Sequence, residues 1–271
     1  MKRVLHIVCI CMAVGLMAAM AGCKSGERRN FERGDVSVVD YGNGLTYKTI
    51  SFADKKLFGA SHTIRVVEIV KDAPFDFMFT FDSCLATVRE QAGKCGAFVA
   101  INASFFDTIQ PCYLRMGGVK LGENARQTVE GVNPEKRKYF LTGTLVLEEG
   151  RLRFLRSDTS RVWEDSLPYE NIMSAGPMLI YDSVIQPLRQ DRTFVTNPFD
   201  RTAICQKADG SILMVVADQL NLMQFADVLS WLGCCHAISL DGGPSTTMVV
   251  DGEEVMGEET EVGTCIVAKR R

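Results

Sequence analysis

The segment 239–247 combines a carboxylate, two adjacent glycines and several hydroxyl side chains. A short apolar run ends at Asp241 within this segment. A carboxylate in such a position can act as a base or stabilise developing positive charge, and neighbouring glycines let a ligand approach the main chain closely. The structural alternative is a tight turn between two strands, in which Asp241 accepts main-chain hydrogen bonds. The other residues expected to contact a ligand here are Gly242, Gly243, Ser245 and Thr246.

Two further charged residues lie at the ends of apolar runs. Asp218 ends an apolar run that begins at Ile212. It is a candidate second carboxylate of the site; the structural alternative is that it caps a helix or contacts a loop. Arg201 and Thr202 lie at the entrance of another apolar run. A guanidinium binds phosphate or carboxylate through two parallel hydrogen bonds. An ion pair with Asp200 explains the same arginine equally well.

Small and polar residues mark two more strand ends. Asn102 follows the apolar run 97–101, as Asp241 follows the run 237–240, and each run comes after a helix-like segment that ends in glycine. Polar groups at the ends of strands that follow helices commonly form the sites of α/β sheets. We therefore expect Asn102 and Asp241 to face one cleft. Gly176, in a Ser-Ala-Gly-Pro segment, lies in a similar setting.

Strand patterns outnumber helix patterns after residue 34, and no linker-like segment divides the chain. We therefore predict an α+β fold, with one domain over residues 35–271 that is built on a mixed β-sheet with a few packed helices. β-branched runs separated by turn residues predict strands at 36–39, 63–70, 97–101, 141–147, 172–180, 202–205, 212–217, 237–240, 247–250 and 265–268. Helical spacing of apolar residues predicts a helix at 83–92 with Gly93 as its C-cap, and a helix at 222–232 with Asn221 as its N-cap.

Residues 1–22 have the pattern of a secretory signal. Lys2 and Arg3 precede an apolar stretch, and Ala-Gly lies directly before Cys23. A transmembrane anchor is the alternative, although the stretch is near the lower length limit for crossing a bilayer. The pattern resembles the lipobox of bacterial lipoproteins, which implies that Cys23 is lipidated. Residues 23–34 then form a polar tether, and we expect a lipid-anchored protein of the cell envelope, either periplasmic or surface-exposed.

The composition argues against several classes of function. The chain has 271 residues, is 46% hydrophobic and carries a net charge of −3, without the basic run of a nucleic-acid-binding protein. Only His62 and His236 remain after residue 22, so neither a histidine metal cluster nor a Ser-His-Asp triad is expected. Seven cysteines remain after processing, none in a CxxC spacing, and we predict mostly buried thiols with room for one disulfide.

The polar segments occur in the order seen in the phosphodiester glycosidase family, and the chain resembles that family from about residue 60 to residue 268. The segments that carry the resemblance are 102–106 (NASFF), 174–177 (SAGP), 201–204 (RTAI), 215–218 (VVAD) and 240–247 (LDGGPSTT). Ala103 and Ser104 replace two glycines that are usual in the family, and Pro244 and Thr246 also depart from its pattern. These changes restrict the main-chain conformations available near a ligand. They therefore affect which substrate is expected more than which type of reaction is expected.

The resemblance implies hydrolysis of the glycosidic bond of a sugar-1-phosphodiester, similar to an α-N-acetylglucosaminyl phosphodiester, with release of free sugar and a phosphomonoester. Asp241 and Asp218 would activate water and stabilise positive charge at the anomeric carbon, in an unassigned division of roles. Arg201 would hold the phosphate, and Asn102 would position sugar or phosphate. No cofactor or metal is implied, and the oligomeric state stays open. The remaining binding residues implied are Thr202, Gly176, Gly242, Gly243, Ser245 and Thr246.

Two other classes of function remain open. A metal-dependent phosphodiesterase would use Asp241, Asp218 and Asp107, although such sites usually recruit histidine as well. A non-catalytic surface lipoprotein would bind glycan in the same cleft through Asn102, Asp241 and nearby aromatic rings. Sensitivity to a chelator distinguishes the first class, and binding without turnover distinguishes the second.

Overall fold

The computed structural model describes residues 31–54, 56–107, 110–124 and 136–271. The predicted signal segment and Cys23 lie outside the described residues, as does most of the predicted tether. In the part of the chain that is described, no helix is long and apolar enough to cross a membrane.

Antiparallel strands make up most of the described chain. In chain order they are β1 (Asp35–Gly42), β2 (Leu45–Ser51), β3 (Thr63–Ile69), β4 (Phe75–Thr87), β5 (Val99–Asn102), β6 (Phe106–Asp107), β7 (Gln110–Pro111), β8 (Leu114–Met116), β9 (Val119–Gly122), β10 (Gly143–Glu148), β11 (Arg151–Arg156), β12 (Asn171–Ala175), β13 (Met178–Tyr181), β14 (Val184–Ile185), β15 (Phe199–Lys207), β16 (Ile212–Leu220), β17 (Cys234–Ser239), β18 (Met248–Val250), β19 (Glu253–Met256) and β20 (Glu261–Arg270).

These strands form three large sheets and a β6–β7 ribbon. The largest sheet has eight strands in the order β1-β2-β3-β16-β15-β17-β13-β14. The two five-stranded sheets have the orders β11-β10-β12-β8-β9 and β19-β18-β5-β20-β4. The predicted α+β class is confirmed. The sheet was expected to be mixed, whereas all strand pairs of the described residues are antiparallel.

The eight-stranded sheet is buried on both faces at its centre. Successive side chains of a strand point to opposite faces, so each central strand contributes to two cores. Ile204 and Met214 pack toward the two five-stranded sheets. Ala203 and Val215 pack on the opposite face, against the helix that follows β16. This double burial explains why β15 and β16 are continuous apolar runs in the sequence.

Three helices lie among the described residues: α1 (Val88–Cys95), α2 (Thr193–Thr196) and α3 (Leu222–Trp231). The predicted helix at 222–232 is confirmed as α3. Its N-cap Asn221 accepts a hydrogen bond from the main-chain N–H of Gln224, whose side chain accepts one from the N–H of Asn221.

The predicted helix at 83–92 is wrong at both ends. Residues up to Thr87 belong to β4, in which Ala86 and Thr87 pair with β20, and the helix begins at Val88 and ends at Cys95. Gly96, at φ +66°, caps it in place of the predicted Gly93. Strand pairing over a distance of more than 170 residues overrides the local helical spacing.

The predicted strand 172–180 is two strands that belong to different sheets, β12 and β13. Gly176 and Pro177 lie between the two strands, and the peptide bond between these two residues is cis. Gly176 lies at φ +157°, and a Cβ there would collide with the carbonyl oxygen of Phe140. Glycine therefore lets the chain pass tightly from one sheet to the next.

All seven cysteines of the described residues are free thiols. Cys205, Cys234 and Cys265 are buried, in line with the expected core thiols. Cys235, which lies in an apolar run, is half-buried.

Candidate active site

Three strand ends from two sheets meet at Asn102 and Asp241. The N–H of Asp241 donates to the carbonyl oxygen of Ala103 over 2.9 Å. The N–H of Leu240 donates to the carbonyl oxygen of Thr202 over 2.9 Å. The ends of β5, β15 and β17 are thereby fixed to one another. The segments of Asn102 and Asp241 thus lie together, whereas the expectation that both side chains face one cleft stays a prediction.

Asn102 connects these segments through its fully buried side-chain amide. Its Nδ2 donates to the carbonyl oxygen of Asp241 over 2.7 Å. Its Oδ1 accepts from the hydroxyl of Thr202 at 2.8 Å and from the N–H of Thr247 at 3.1 Å. Since these bonds occupy the amide within the protein, Asn102 and Thr202 hold the site together rather than present free polar groups to a ligand.

The Asp241 carboxylate is partly buried. Burial raises its pKa from 3.8 to about 6, although hydrogen bonds from the Ser245 hydroxyl and from the Gly242 N–H act to lower it. The Gly242 N–H lies 3.0 Å from Oδ1. A carboxyl group with a pKa near 6 can exchange protons close to neutral pH. Asp241 is thus suited to acid–base chemistry.

The segment after Asp241 borders a cavity of about 300 Å³. Gly242 packs tightly, since a Cβ there would lie 2.7 Å from the carbonyl oxygen of Asp200. Gly243 adopts φ +62° and has open space where a side chain would be. The buried Thr246 hydroxyl, on the same wall, has no hydrogen-bond partner among the described residues. We call this space the loop cavity; its walls are Phe199, Asp200, Gln219, Gly243, Pro244, Thr246, Met256, Gly257 and Glu258.

The Asp218 side chain, in β16, bonds to the neighbouring strand β3, which lies on the side of β16 away from β17. Its Oδ1 accepts a hydrogen bond of 2.7 Å from the N–H of Thr63 in β3. The same oxygen lies 3.7 Å from Nδ1 of the buried His62. β15 separates β16 from β17 in the sheet, and no contact joins Asp218 to Asp241 in the described part of the chain. A catalytic role for Asp218 therefore stays a prediction.

Arg201 is buried and is bound mainly by the protein itself. Nε donates to the carbonyl oxygen of Leu220 at 2.7 Å, and Nη2 donates to those of Phe194 and Asn197 at 3.1 and 2.9 Å. Burial lowers the pKa of the guanidinium to about 10. Within the described residues only Nη1 is without a partner, so the expected two-bond grip on a phosphate is not available to this side chain.

The sequence did not point to Cys112, a thiol whose electrostatic surroundings include Asp241 and Lys138. The Cys112 thiol forms a hydrogen bond with Ser104, and burial raises its pKa to about 11. The charge of Lys138 lowers this pKa and that of Asp241 raises it, so both charges act on the thiol. Neither residue is part of a local motif. Only the tertiary structure brings them together.

Aromatic rings form one wall near the site. The Phe105 ring centroid lies 5.0 Å from that of Phe140 and 5.9 Å from that of Phe194. The Arg201 guanidinium lies 5.5 Å from the centroid of the Phe194 ring.

Among the described residues, no group of three His, Cys, Asp or Glu side chains is placed to hold a metal ion. The side chain of Asp107, which the metal hypothesis requires, lies outside the described part of the structure.

Comparison with known proteins identifies the family. A family model for phosphodiester glycosidases matches residues 96–269, which include the Asn102, Arg201 and Asp241 segments. The chain belongs to the phosphodiester glycosidase family. The family match therefore covers the residues that meet at the candidate active site. The sequence resemblance to this family is thereby confirmed.

Two solved structures are similar in fold to this protein. The catalytic domain of zebrafish N-acetylglucosamine-1-phosphodiester alpha-N-acetylglucosaminidase, auto-inhibited by its pro-peptide, matches with a TM-score of 0.64 and 17% identity, over 90% of this chain and 93% of that one. A hypothetical protein from Synechocystis matches with a TM-score of 0.63 and 16% identity over 88% of this chain. The match spans 64% of the Synechocystis chain. No curated protein matches this sequence.

Proposed function

We propose that this protein hydrolyses the glycosidic bond of a sugar-1-phosphodiester and releases free sugar and a phosphomonoester. The proposal depends most on Asp241, a partly buried carboxyl group with a pKa near 6 beside an open glycine segment. Membership of the phosphodiester glycosidase family supports it. The name of the zebrafish protein favours an α-linked N-acetylglucosaminyl phosphodiester as the class of substrate.

In this proposal Asp241 acts in its ionised form. It either removes a proton from the attacking water or stabilises positive charge at the anomeric carbon. The leaving group is a phosphomonoester whose second pKa is about 6, so it departs without a strong proton donor. A single carboxylate therefore suffices for the chemistry. Asn102 is a positioning residue, because its amide binds the main chain on both sides of the catalytic segment.

We also propose that the protein is lipid-anchored in the cell envelope through Cys23. The basic and apolar segments before Cys23 and the small residues next to it support this proposal. A carbohydrate phosphodiester in the periplasm or at the cell surface is then the substrate.

The test uses the detergent-solubilised full-length protein and a panel of α-linked sugar-1-phosphodiesters, with free sugar as the measured product. We expect release by the wild type and by Asp54→Asn, an exposed carboxylate that serves as a control. Asp241→Asn is expected to lose at least about a thousandfold in kcat/KM, equivalent to about 4 kcal/mol of transition-state stabilisation. Activity lost in chelator would favour a metal-dependent phosphodiesterase. Sugar binding without release would favour a glycan-binding protein.

A further inference from the structure

A second cavity has a volume of about 370 Å³. Segments 136–142, 156–159 and 186–189 form most of its wall, together with Pro177, Met178 and Val195. Five of its lining side chains are basic and one is acidic. They are Lys136, Arg137, Lys138, Arg156, Arg189 and Asp158, and we call this space the basic cavity.

Three of these positive charges have no ion-pair partner among the described residues. Arg137 forms a buried ion pair of 2.8 Å with Glu164, and Arg189 pairs with Asp191 at 2.8 Å. Lys136, Lys138 and Arg156 form no ion pair with any acidic residue of the described ranges. Against these three cations the cavity wall holds one carboxylate, that of Asp158. A concave surface with such an excess of one charge concentrates ions of the opposite charge.

The basic cavity adjoins the candidate active site. Pro177 lines the cavity, and its carbonyl oxygen accepts a hydrogen bond of 2.9 Å from the N–H of Ser239, two residues before Asp241. Phe140 lines the cavity, and its ring packs against that of Phe105 in the segment that follows Asn102. A ligand that reaches from Asp241 past this aromatic wall therefore enters a region of positive potential.

The loop cavity has the opposite character. Asp200 and Glu258 line it, and no lysine or arginine does. Gln219 and the unpartnered Thr246 hydroxyl add neutral hydrogen-bonding groups. These groups suit the hydroxyls of a neutral sugar and repel a phosphate. The two cavities therefore offer opposite charge to the sugar and to the phosphate of a sugar phosphodiester.

We propose that the basic cavity binds the phosphate-bearing part of the substrate, and that Lys138 and Arg156 select substrates in which this part carries at least two negative charges before cleavage. This inference rests on the proposed hydrolysis of a sugar-1-phosphodiester. A phosphodiester linkage carries a single negative charge, which is fewer than the unpaired cations of the cavity. Arg201 cannot supply the main grip, because carbonyl oxygens hold its Nε and Nη2. A diphosphate-linked sugar is the class of substrate that matches this charge.

Direct binding of inorganic pyrophosphate tests the inference without turnover. Titration calorimetry uses full-length Asp241→Asn protein in detergent, at constant ionic strength and with chloride as the competing anion. We expect Lys138→Gln and Arg156→Gln, each added to this protein, to weaken pyrophosphate binding at least about tenfold. Arg153→Gln is the matched control, because Arg153 is exposed on the same strand as Arg156 and does not line the cavity. Its affinity is expected to equal that of the parent.

Kinetics with the Asp241-containing protein complete the test. Lys138→Gln is expected to lower kcat/KM at least about tenfold for a diphosphate-linked sugar and less than about threefold for a sugar 1-(methyl phosphate). Absent pyrophosphate binding, or equal affinity in all variants, overturns the inference even where sugar is released. Lysine-dependent pyrophosphate binding without hydrolysis of any diester supports the anion site and contradicts the proposed function instead.

Discussion

At the residue scale, the proposed chemistry of this protein depends on one carboxyl group. Asp241 lies two residues after the end of β17, where the sheet interior meets the more open glycine segment. Burial raises its pKa to about 6, and the hydrogen bonds from Ser245 and Gly242 limit the rise. The side chain is therefore ionised above about pH 6 and protonated below. Two measurable consequences follow from this position.

The first is a pH dependence of catalysis. Because the proposed mechanism requires ionised Asp241, kcat/KM is expected to rise as the pH increases through about 6 and then to level off. The profile is measured from pH 4 to 8 with a substrate whose own ionisation lies outside this range. Activity that falls above pH 6 would mean that Asp241 acts as a proton donor instead.

The second is a pH dependence of stability. The folded protein raises the pKa of Asp241 above its ordinary value of 3.8, so ionisation opposes folding. This penalty is absent below about pH 4, grows between about pH 4 and 6, and reaches about 2–3 kcal/mol above pH 6. Asp241→Asn keeps an oxygen acceptor and removes the charge. We expect its free energy of unfolding in urea to exceed that of the wild type by about 1–3 kcal/mol at pH 8 and to equal it at pH 3.5. A variant destabilised at pH 8 would contradict this assignment.

At the element scale, the site depends on contacts between strand ends. Asn102 at the end of β5 bonds to Asp241 after β17 and to Thr202 in β15. Asp218 in β16 is bonded instead to β3. In the proposed mechanism, the neighbouring strand that each side chain faces thus determines whether Asp218 or Asp241 reaches a substrate.

Removal of the Asn102 amide tests this role. Asn102→Ala leaves the Asp241 carbonyl, the Thr247 N–H and the Thr202 hydroxyl without their buried partner. We expect a loss of about 2–4 kcal/mol in the free energy of unfolding and a lower kcat, since the catalytic segment loses its anchor. Asn171→Ala is the control, because Asn171 makes a single exposed bond to Gly117. Equal stability of the two variants in urea unfolding would remove Asn102 from this role.

Asp218→Asn tests whether a second carboxylate is needed. Asparagine can still accept the hydrogen bond from Thr63, so we expect a loss of stability of about 1 kcal/mol and a kcat/KM within about fivefold of the wild type. Sugar release is compared with that of Asp241→Asn under the same conditions. A loss as large as that of Asp241→Asn would support the two-carboxylate prediction from the sequence.

At the scale of the whole molecule, the eight-stranded sheet separates two cores and holds the ends of β15 and β17 against β5 of another sheet. The family match begins at residue 96 and includes every strand that reaches the site. The N-terminal segments that would bring this domain to a membrane are separate from it in the sequence.

The proposed lipid anchor is tested on the whole chain expressed in a bacterium. Cys23→Ser is expected to abolish incorporation of radiolabelled palmitate and to release the protein from the membrane fraction. Cys84→Ser removes an exposed thiol and is expected to leave both properties unchanged. Unchanged labelling of Cys23→Ser would rule out this residue as the lipidation site.

The amino-acid sequence by itself determined the properties that depend on neighbouring residues. The α+β class, the limits of α3 and its Asn221 cap all follow from local spacing. The polar segment after an apolar run at Asp241 and the order of the family motifs are likewise legible along the chain. Such features arise from main-chain hydrogen bonding and hydrophobic periodicity within about ten residues.

Only the tertiary structure decided how distant side chains use their polar groups. The Arg201 guanidinium donates hydrogen bonds to the carbonyl oxygens of Phe194, Asn197 and Leu220. The Asp218 carboxylate accepts one from the N–H of Thr63. The charges of Lys138 and Asp241 both act on the Cys112 thiol, although about a hundred residues separate them in the chain. Residue types state which bonds a side chain can make, whereas strand register and sheet packing determine which partner it meets. The charges that face a substrate are therefore a property of the fold.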